Sequence, residues 1–125
     1  MGIPSTKRLR KSRDFQKIRE HGTRMFLGPF IVQYCQRMSN EESRRLGVIA
    51  SRRVGNAVKR NRGKRIVREL FRLHESVLPD GCDIVIVLRS NFDRYSFSDL
   101  EARYVRACAN LAKERPAGQA CSYNA

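Results

Sequence analysis

The sequence predicts an α+β fold, a two-layer sandwich in which helices cover a central mixed sheet of about four strands. Three observations carry this reading. Residues 82–88 form an almost unbroken apolar run rich in β-branched side chains, the mark of a strand covered on both faces. Apolar positions recur at helical spacing in two long stretches: one follows Gly55-Asn56, and the other carries Leu100, Tyr104, Cys108 and Leu111 as a stripe. The order along the 125 residues is helix, strands, helix, strand, helix, without repeats, which suits one domain with one modest core.

Taken in order, residues 1–11 read as a basic arm in which Lys7, Arg8, Arg10 and Lys11 lie among little that could pack. Such an arm is either a flexible tail or a segment that orders on RNA phosphates. Ser12 can cap a short helix that runs to His21 and closes on Gly22, with Phe15 and Ile18 as its apolar stripe. Met25-Phe26 can add a short strand before the Gly28-Pro29 turn. Residues 30–37 then read as a strand, with Phe30, Val32 and Tyr34 on one face and Ile31, Gln33 and Cys35 on the other. A polar loop over 39–44 is expected to make a hairpin, so that residues 45–51 pair antiparallel with the preceding strand.

Gly55-Asn56 reads as a strand-to-helix turn with Asn56 as N-cap, and the helix continues to about His74. Ile66, Val67, Leu70 and Leu73 fall on one side with Gly63, and Arg60, Asn61, Lys64, Arg65, Arg68 and Arg72 on the other. Leu78-Pro79-Asp80-Gly81 is a turn, and residues 91–95 are a loop. Ser98 with Glu101 makes a capping box for the last helix. Pro116 and Gly118 mark a frayed tail over 114–125, leaving residues 1–113 as the domain.

Charge narrows the function. Lys plus Arg number 26 against 12 acids, a net charge of +14. Arg52, Arg53, Lys59, Arg60, Arg62, Lys64, Arg65 and Arg68 crowd one stretch that holds no acid. Cations in the first turns of a helix oppose its dipole, and the residues four before Lys64, Arg65 and Arg68 are Arg60, Asn61 and Lys64, so like charges repel along the face. A polyanion site explains that arrangement better than a solvated face, since phosphates dock well at a donor-rich helix N-terminus. An anionic membrane surface would need bulky apolar residues at the interface, and the helix's apolar residues are used by a core. No apolar run is long enough to span a bilayer, and Met1 to Arg13 lacks the apolar segment of a signal peptide, so a cytoplasmic protein is expected.

Little in the chain looks like chemistry. Its acids are scattered, most of them at caps, turns or exposed helix faces, whereas a metal-dependent nuclease needs them clustered around Mg²⁺. His21 and His74 have no neighbouring Cys or Ser suited to a nucleophile pair, and the glycines are isolated rather than gathered in a phosphate loop. Cys35, Cys82, Cys108 and Cys121 are widely spaced, which argues against zinc and for free thiols, with the first three in the core and Cys121 exposed. The expectation is a polypeptide without catalytic residues, metal ligands or a small-molecule substrate.

The run from Val54 to Arg65 (Val-Gly-Asn-Ala-Val-Lys-Arg-Asn-Arg-Gly-Lys-Arg) closely resembles the signature of the bacterial ribonuclease P protein component. Its Arg-Asn-Arg core stands at Arg60, Asn61 and Arg62. Arg13-Asp14-Phe15-Gln16-Lys17 and His21-Gly22 resemble the family's first helix, residues 46–51 the strand before the signature, and residues 83–89 the strand after it. The resemblance implies a ribosomal-protein-like sandwich with a left-handed crossover around the basic helix, where physics alone would favour a right-handed one. It also implies that catalysis belongs to ribonuclease P RNA, with Mg²⁺ held mainly on RNA, and that precursor tRNA loses its 5′ leader. Arg52, Arg53, Asn56, Lys59, Arg60, Asn61, Arg62, Lys64, Arg65 and Arg68 would then face the catalytic RNA.

A leader-binding cleft between the first helix and the sheet would fall at Phe15, Arg19, Ile31, Gln33 and Ile49. Phe15 matches one of the family's stacking aromatics, although an aromatic at such a position is more often a core residue than a stacking platform. Arg19 and Gln33 stand where some relatives have Phe and Tyr, and Tyr34 points to the opposite face. Leader binding is therefore expected to lean less on stacking and more on charge and hydrogen bonds. The rival readings are a ribosomal or general structured-RNA-binding protein and a protein nuclease in its own right.

Overall fold

The most apolar run of the chain forms the middle of the sheet. The computed structural model describes residues 8–9, 12–36, 44–78 and 81–114. Its elements are α1 (Ser12–His21), β1 (Thr23–Phe26), β2 (Phe30–Gln36), β3 (Arg45–Ile49), α2 (Ala57–Leu73), β4 (Cys82–Leu88) and α3 (Phe97–Glu114). Short 3-10 turns occupy Arg52–Val54, Glu75–Val77 and Ser90–Arg94. The strand order is β1-β2-β4-β3, with β4 antiparallel to β2 and parallel to β3. The α+β class and the mixed four-stranded sheet are as the sequence predicts.

The expected hairpin between the strands at 30–37 and 45–51 does not form. β4 lies between them, and β3 ends at Ile49. The reason is the composition of β4: Cys82, Ile84, Val85 and Ile86 are all fully buried, so the strand must be covered on both faces and flanked on both edges. β3, joined to β4 through α2, then becomes its parallel neighbour, as strand-helix-strand units do. The loop proposed over 39–44 lies outside the described residues except for Arg44.

The main core lies on one face of the sheet. Phe30, Val32 and Tyr34 of β2 pack there with Val67, Leu70 and Phe71 of α2 and with the stripe Leu100, Tyr104, Cys108 and Leu111 of α3. The alternation read for β2 holds, because Cys35 joins Ile18, Leu9 and Val85 in a second cluster under α1 on the opposite face. On α2 the buried stripe is Gly63, Val67, Leu70 and Phe71, with Ile66 half-buried. Leu73, expected in that stripe, is 46% exposed, because Phe71 turns toward the core in its place at the last turn. Gly63 is required by contact: a Cβ there would come within 2.7 Å of Leu88 Cδ1, so α2 could not sit this close to β4.

Two local expectations are corrected. α3 is capped by Ser96, whose Oγ accepts from Asp99 N at 3.1 Å, and not by Ser98. Glu101, assigned to that capping box, instead lies 2.8 Å from His74 Nε2 and ties α3 to the end of α2. Among the cysteines, Cys82 and Cys108 are buried thiols outside any disulfide, whereas buried Cys35 is disulfide-bonded. Spacing in sequence does not report which sulfurs meet in space. Cys121 lies outside the described residues.

One polar pair is sealed into the sheet. Asp83, fully buried, accepts from Arg45 Nε and Nη2, each at 2.8 Å, across the β3–β4 rung. Arg45→Ala removes two charge-assisted hydrogen bonds from a buried carboxylate, so it should cost about 3–5 kcal/mol in urea unfolding. Burial also pushes the Cys108 thiol up to about 12 from 9.0. The unfolded chain therefore ionises this thiol first, and stability present below pH 9 should fall as pH rises toward 12. Cys108→Ala should flatten that part of a stability-versus-pH series.

Candidate nucleic-acid interface

α2 begins as the sequence predicts, and its start shapes the surface. The Arg52–Val54 turn is pinned by Val54, which is 2% exposed, while Arg52 and Arg53 face solvent. Gly55 has φ 149°, a left-handed conformation, and a Cβ there would lie 2.7 Å from Lys59 Cδ. Asn56 then caps the helix, its Oδ1 accepting from Lys59 N at 2.9 Å. No acidic residue occupies the first turn.

The basic side chains divide into two groups. Asn61, Arg62 and Arg65 are exposed, and Arg60, Lys64 and Arg68 are half-buried along the same helix. Among the described residues, Arg52, Arg53, Arg60, Arg62, Lys64, Arg65 and Arg68 have no acidic partner. Lys59 is different. Its Nζ donates to Ser90 O at 2.8 Å, pairs with Asp93 at 3.3 Å and lies 5.8 Å from the Phe92 ring centre, so it braces α2 against the Ser90–Arg94 turn. Arg72, read as part of the bare basic face, is paired with Glu69 one turn back, which holds the Glu69 carboxyl below its usual range.

Two hollows follow this face. One of about 240 Å³ is lined by Val58, Asn61, Arg62 and Arg65. The other, about 620 Å³, is lined by Arg8, Arg65, Ile66, Arg68, Glu69, Arg72 and Phe97, with Glu69 paired to Arg72. Partial burial, and then the charge of Arg8, lowers the Arg68 pKa. A bound anion would offset both causes. The basic arm is described only at residues 8–9, where Leu9 N donates to Leu46 O at 2.9 Å and lays the segment along β3.

The residues expected to form a cleft meet on the sheet face under α1. Ile31, Val87 and Ile49 are partners across β2, β4 and β3, and Gln33, Val85 and Gly47 form the next row on the same face. Phe15 lies against this second row: a Cβ on Gly47 would fall 2.6 Å from its ring. Phe15 is therefore packed on one side and half-exposed on the other. Arg19 is exposed on α1, and Ile49 is 38% exposed. Gln33 is only 8% exposed, because its row lies beneath α1. Sequence reasoning missed Phe26, which is 62% exposed at the end of β1 opposite Ile31. Counting back through the Gly28-Pro29 turn would have put it on this face.

Comparison with known proteins fits this geometry. The family model for ribonuclease P matches residues 3–112. The chain belongs to the ribonuclease P protein family. It is 35% identical over 98 residues to the ribonuclease P protein component of Syntrophus aciditrophicus (strain SB), covering 78% of this chain and 81% of that one. It is 34% identical over 115 residues to that of Clostridioides difficile (strain 630), covering 90% and 95%. Among solved structures, the ribonuclease P protein of Thermotoga maritima superposes with a TM-score of 0.72 at 33% identity, covering 82% of this chain and 96% of that one. That of Staphylococcus aureus gives 0.74 at 30%, covering 86% and 95%.

Membership in the ribonuclease P family makes the chain a protein component of a tRNA-processing ribonucleoprotein. Among the described residues no three His, Cys, Asp or Glu side chains converge, so these residues do not make a cage for the Mg²⁺ that the family implies. No described helix is long and apolar enough to cross a membrane. The two groups of cations should separate in a melt. Arg62→Ala and Arg65→Ala should leave the unfolding midpoint unchanged, because each removes an unpaired charge from a like-charged face. Leu70→Ala should cost about 2–5 kcal/mol by opening the core. Thermal denaturation of the three variants side by side checks the assignment of faces.

Proposed function

We propose that this chain binds the RNA of ribonuclease P through α2 and its entry turn and the 5′ leader of precursor tRNA across the sheet face under α1. Binding there promotes Mg²⁺-dependent endonucleolytic removal of the leader, with the RNA as catalyst and holder of the metal. The observation that carries this reading is the row of cations at Arg52, Arg53, Arg60, Arg62, Lys64, Arg65 and Arg68, without acidic partners among the described residues, at the capped N-terminus of a helix. Phosphates answer both the charges and the free helix donors.

The chain's own residues then act by binding and positioning. The guanidinium groups of Arg62 and Arg65 suit two-point contacts with phosphate, and Asn61 between them can donate and accept at a base edge or the backbone. Phe15 and Ile49 offer apolar contact to an unpaired strand, with Arg19 supplying charge at the rim. The site of action would be the cytoplasm, where precursor tRNA is made in bacteria.

Reconstitution with ribonuclease P RNA tests the proposal. The holoenzyme should cleave precursor tRNA at magnesium concentrations where the RNA alone is slow, and the RNA-free protein should not cleave at all. Arg62→Ala and Arg65→Ala should each weaken binding of the RNA and lower the slope of log K against log salt by about one. Cleavage by RNA-free protein, or equal affinity for any structured RNA, would sink the reading.

A further inference from the structure

Phe26 is an unusual residue for its place. It ends an edge strand, is 62% exposed, and so gains little from burial in this fold. Yet it is held firmly. Phe26 pairs with Ile31 across the β1–β2 ladder, and Leu27 N closes the hairpin on Phe30 O at 2.9 Å. The Arg89 guanidinium carbon lies 4.6 Å from the ring centre, and Arg89 Nη1 is anchored by donating to Gly28 O at 3.1 Å. One side of the ring is thus covered by a tethered cation.

The register places this pair in a larger surface. Phe26, Ile31, Val87 and Ile49 are successive partners across all four strands, so their side chains share the face that carries Phe15. The row crosses three inter-strand spacings, about 14 Å. Arg24, exposed and two residues before Phe26, points to the same side. The far edge of the sheet therefore presents an aromatic ring, a stacked guanidinium and a second cation in line with the proposed cleft.

We propose that Phe26 and Arg89 form a stacking platform for one base of the 5′ leader, at the β1 edge and beyond the part of the face covered by α1. This rests on the reading that the leader crosses this face. A single-stranded RNA is the occupant favoured by the chemistry. Its bases supply flat faces for the ring and guanidinium, and its phosphates supply the negative charge that Arg24 and Arg89 call for. An apolar peptide would meet only the ring, and an acidic one only the cations.

The test uses holoenzyme reconstituted from the full chain and ribonuclease P RNA, with precursor tRNAs whose leaders lengthen from one nucleotide. Phe26→Leu, which keeps an apolar contact with Ile31, and Phe26→Ala should each weaken binding of long-leader substrates by about fivefold or more. Both should match wild type on the shortest leader and on mature tRNA, and Phe26→Trp should restore affinity. With 2-aminopurine walked along the leader, one position should be quenched by wild type and by Phe26→Trp but not by Phe26→Leu. Equal affinities for Phe26→Leu and wild type at every leader length would overturn the platform while leaving the leader reading intact, as would a loss that is the same for mature tRNA. A wild-type holoenzyme that gains no affinity from any leader would overturn both.

Discussion

The double burial of β4 is the constraint from which the rest of the architecture follows. A strand whose residues from Cys82 to Ile86 are all buried cannot sit at an edge or face water on either side. β2 takes one flank and β3 the other, which separates two strands adjacent in the chain. Apolar area removed from water stabilises by about 25 cal/mol per Å², so covering such a strand outweighs the small entropic advantage of a tight hairpin. The two candidate RNA surfaces are consequences of this choice. β3 feeds α2 from one end of the sheet, and the face not used by α2 and α3 is left for α1 and the open row beyond it.

Electrostatics divides the arginines and lysines into two groups that composition alone cannot separate. Arg45 is locked on Asp83, Arg44 donates to Leu78 O at 2.8 Å, Lys59 braces the Ser90–Arg94 turn, and Arg103 donates to Leu27 O at 3.0 Å. These cations hold the fold. The remainder at 52–53 and 60–68 repel one another, at a few tenths of a kcal/mol per like-charged helix pair. That sum is small beside the core around Leu70 and Tyr104, which lets the domain carry an unneutralised face. Such a face carries electrostatic repulsion in the free protein, which a bound polyanion would relieve.

Close approach of backbone and ring is the second recurring device. Gly63 brings α2 onto Leu88, and Gly47 lets the Phe15 ring lie on the sheet. In both places a methyl group would collide, so a missing side chain sets the spacing between a helix and a strand. Phe15 gains its position on the proposed cleft floor from Gly47, a residue with no side chain to contact RNA itself.

By itself the sequence determined which segments are helix or strand, the N-cap at Asn56, the faces of β2, the stripe on α3, and the excess of unpaired positive charge on α2, because these depend on local periodicity and composition. The signature at 54–65 likewise carried the family. The tertiary structure alone decided that β4 would separate β2 from β3, that Phe71 and not Leu73 would enter the core, and that Glu101 would join His74. It also decided that Gln33 would be covered while Phe26 stayed bare, and that Lys59 would brace the fold. The physical reason is common to all of these. Strand neighbours, ion-pair partners and the reach of a covering helix are set by competition among segments distant in the chain, and no local pattern records which of them wins.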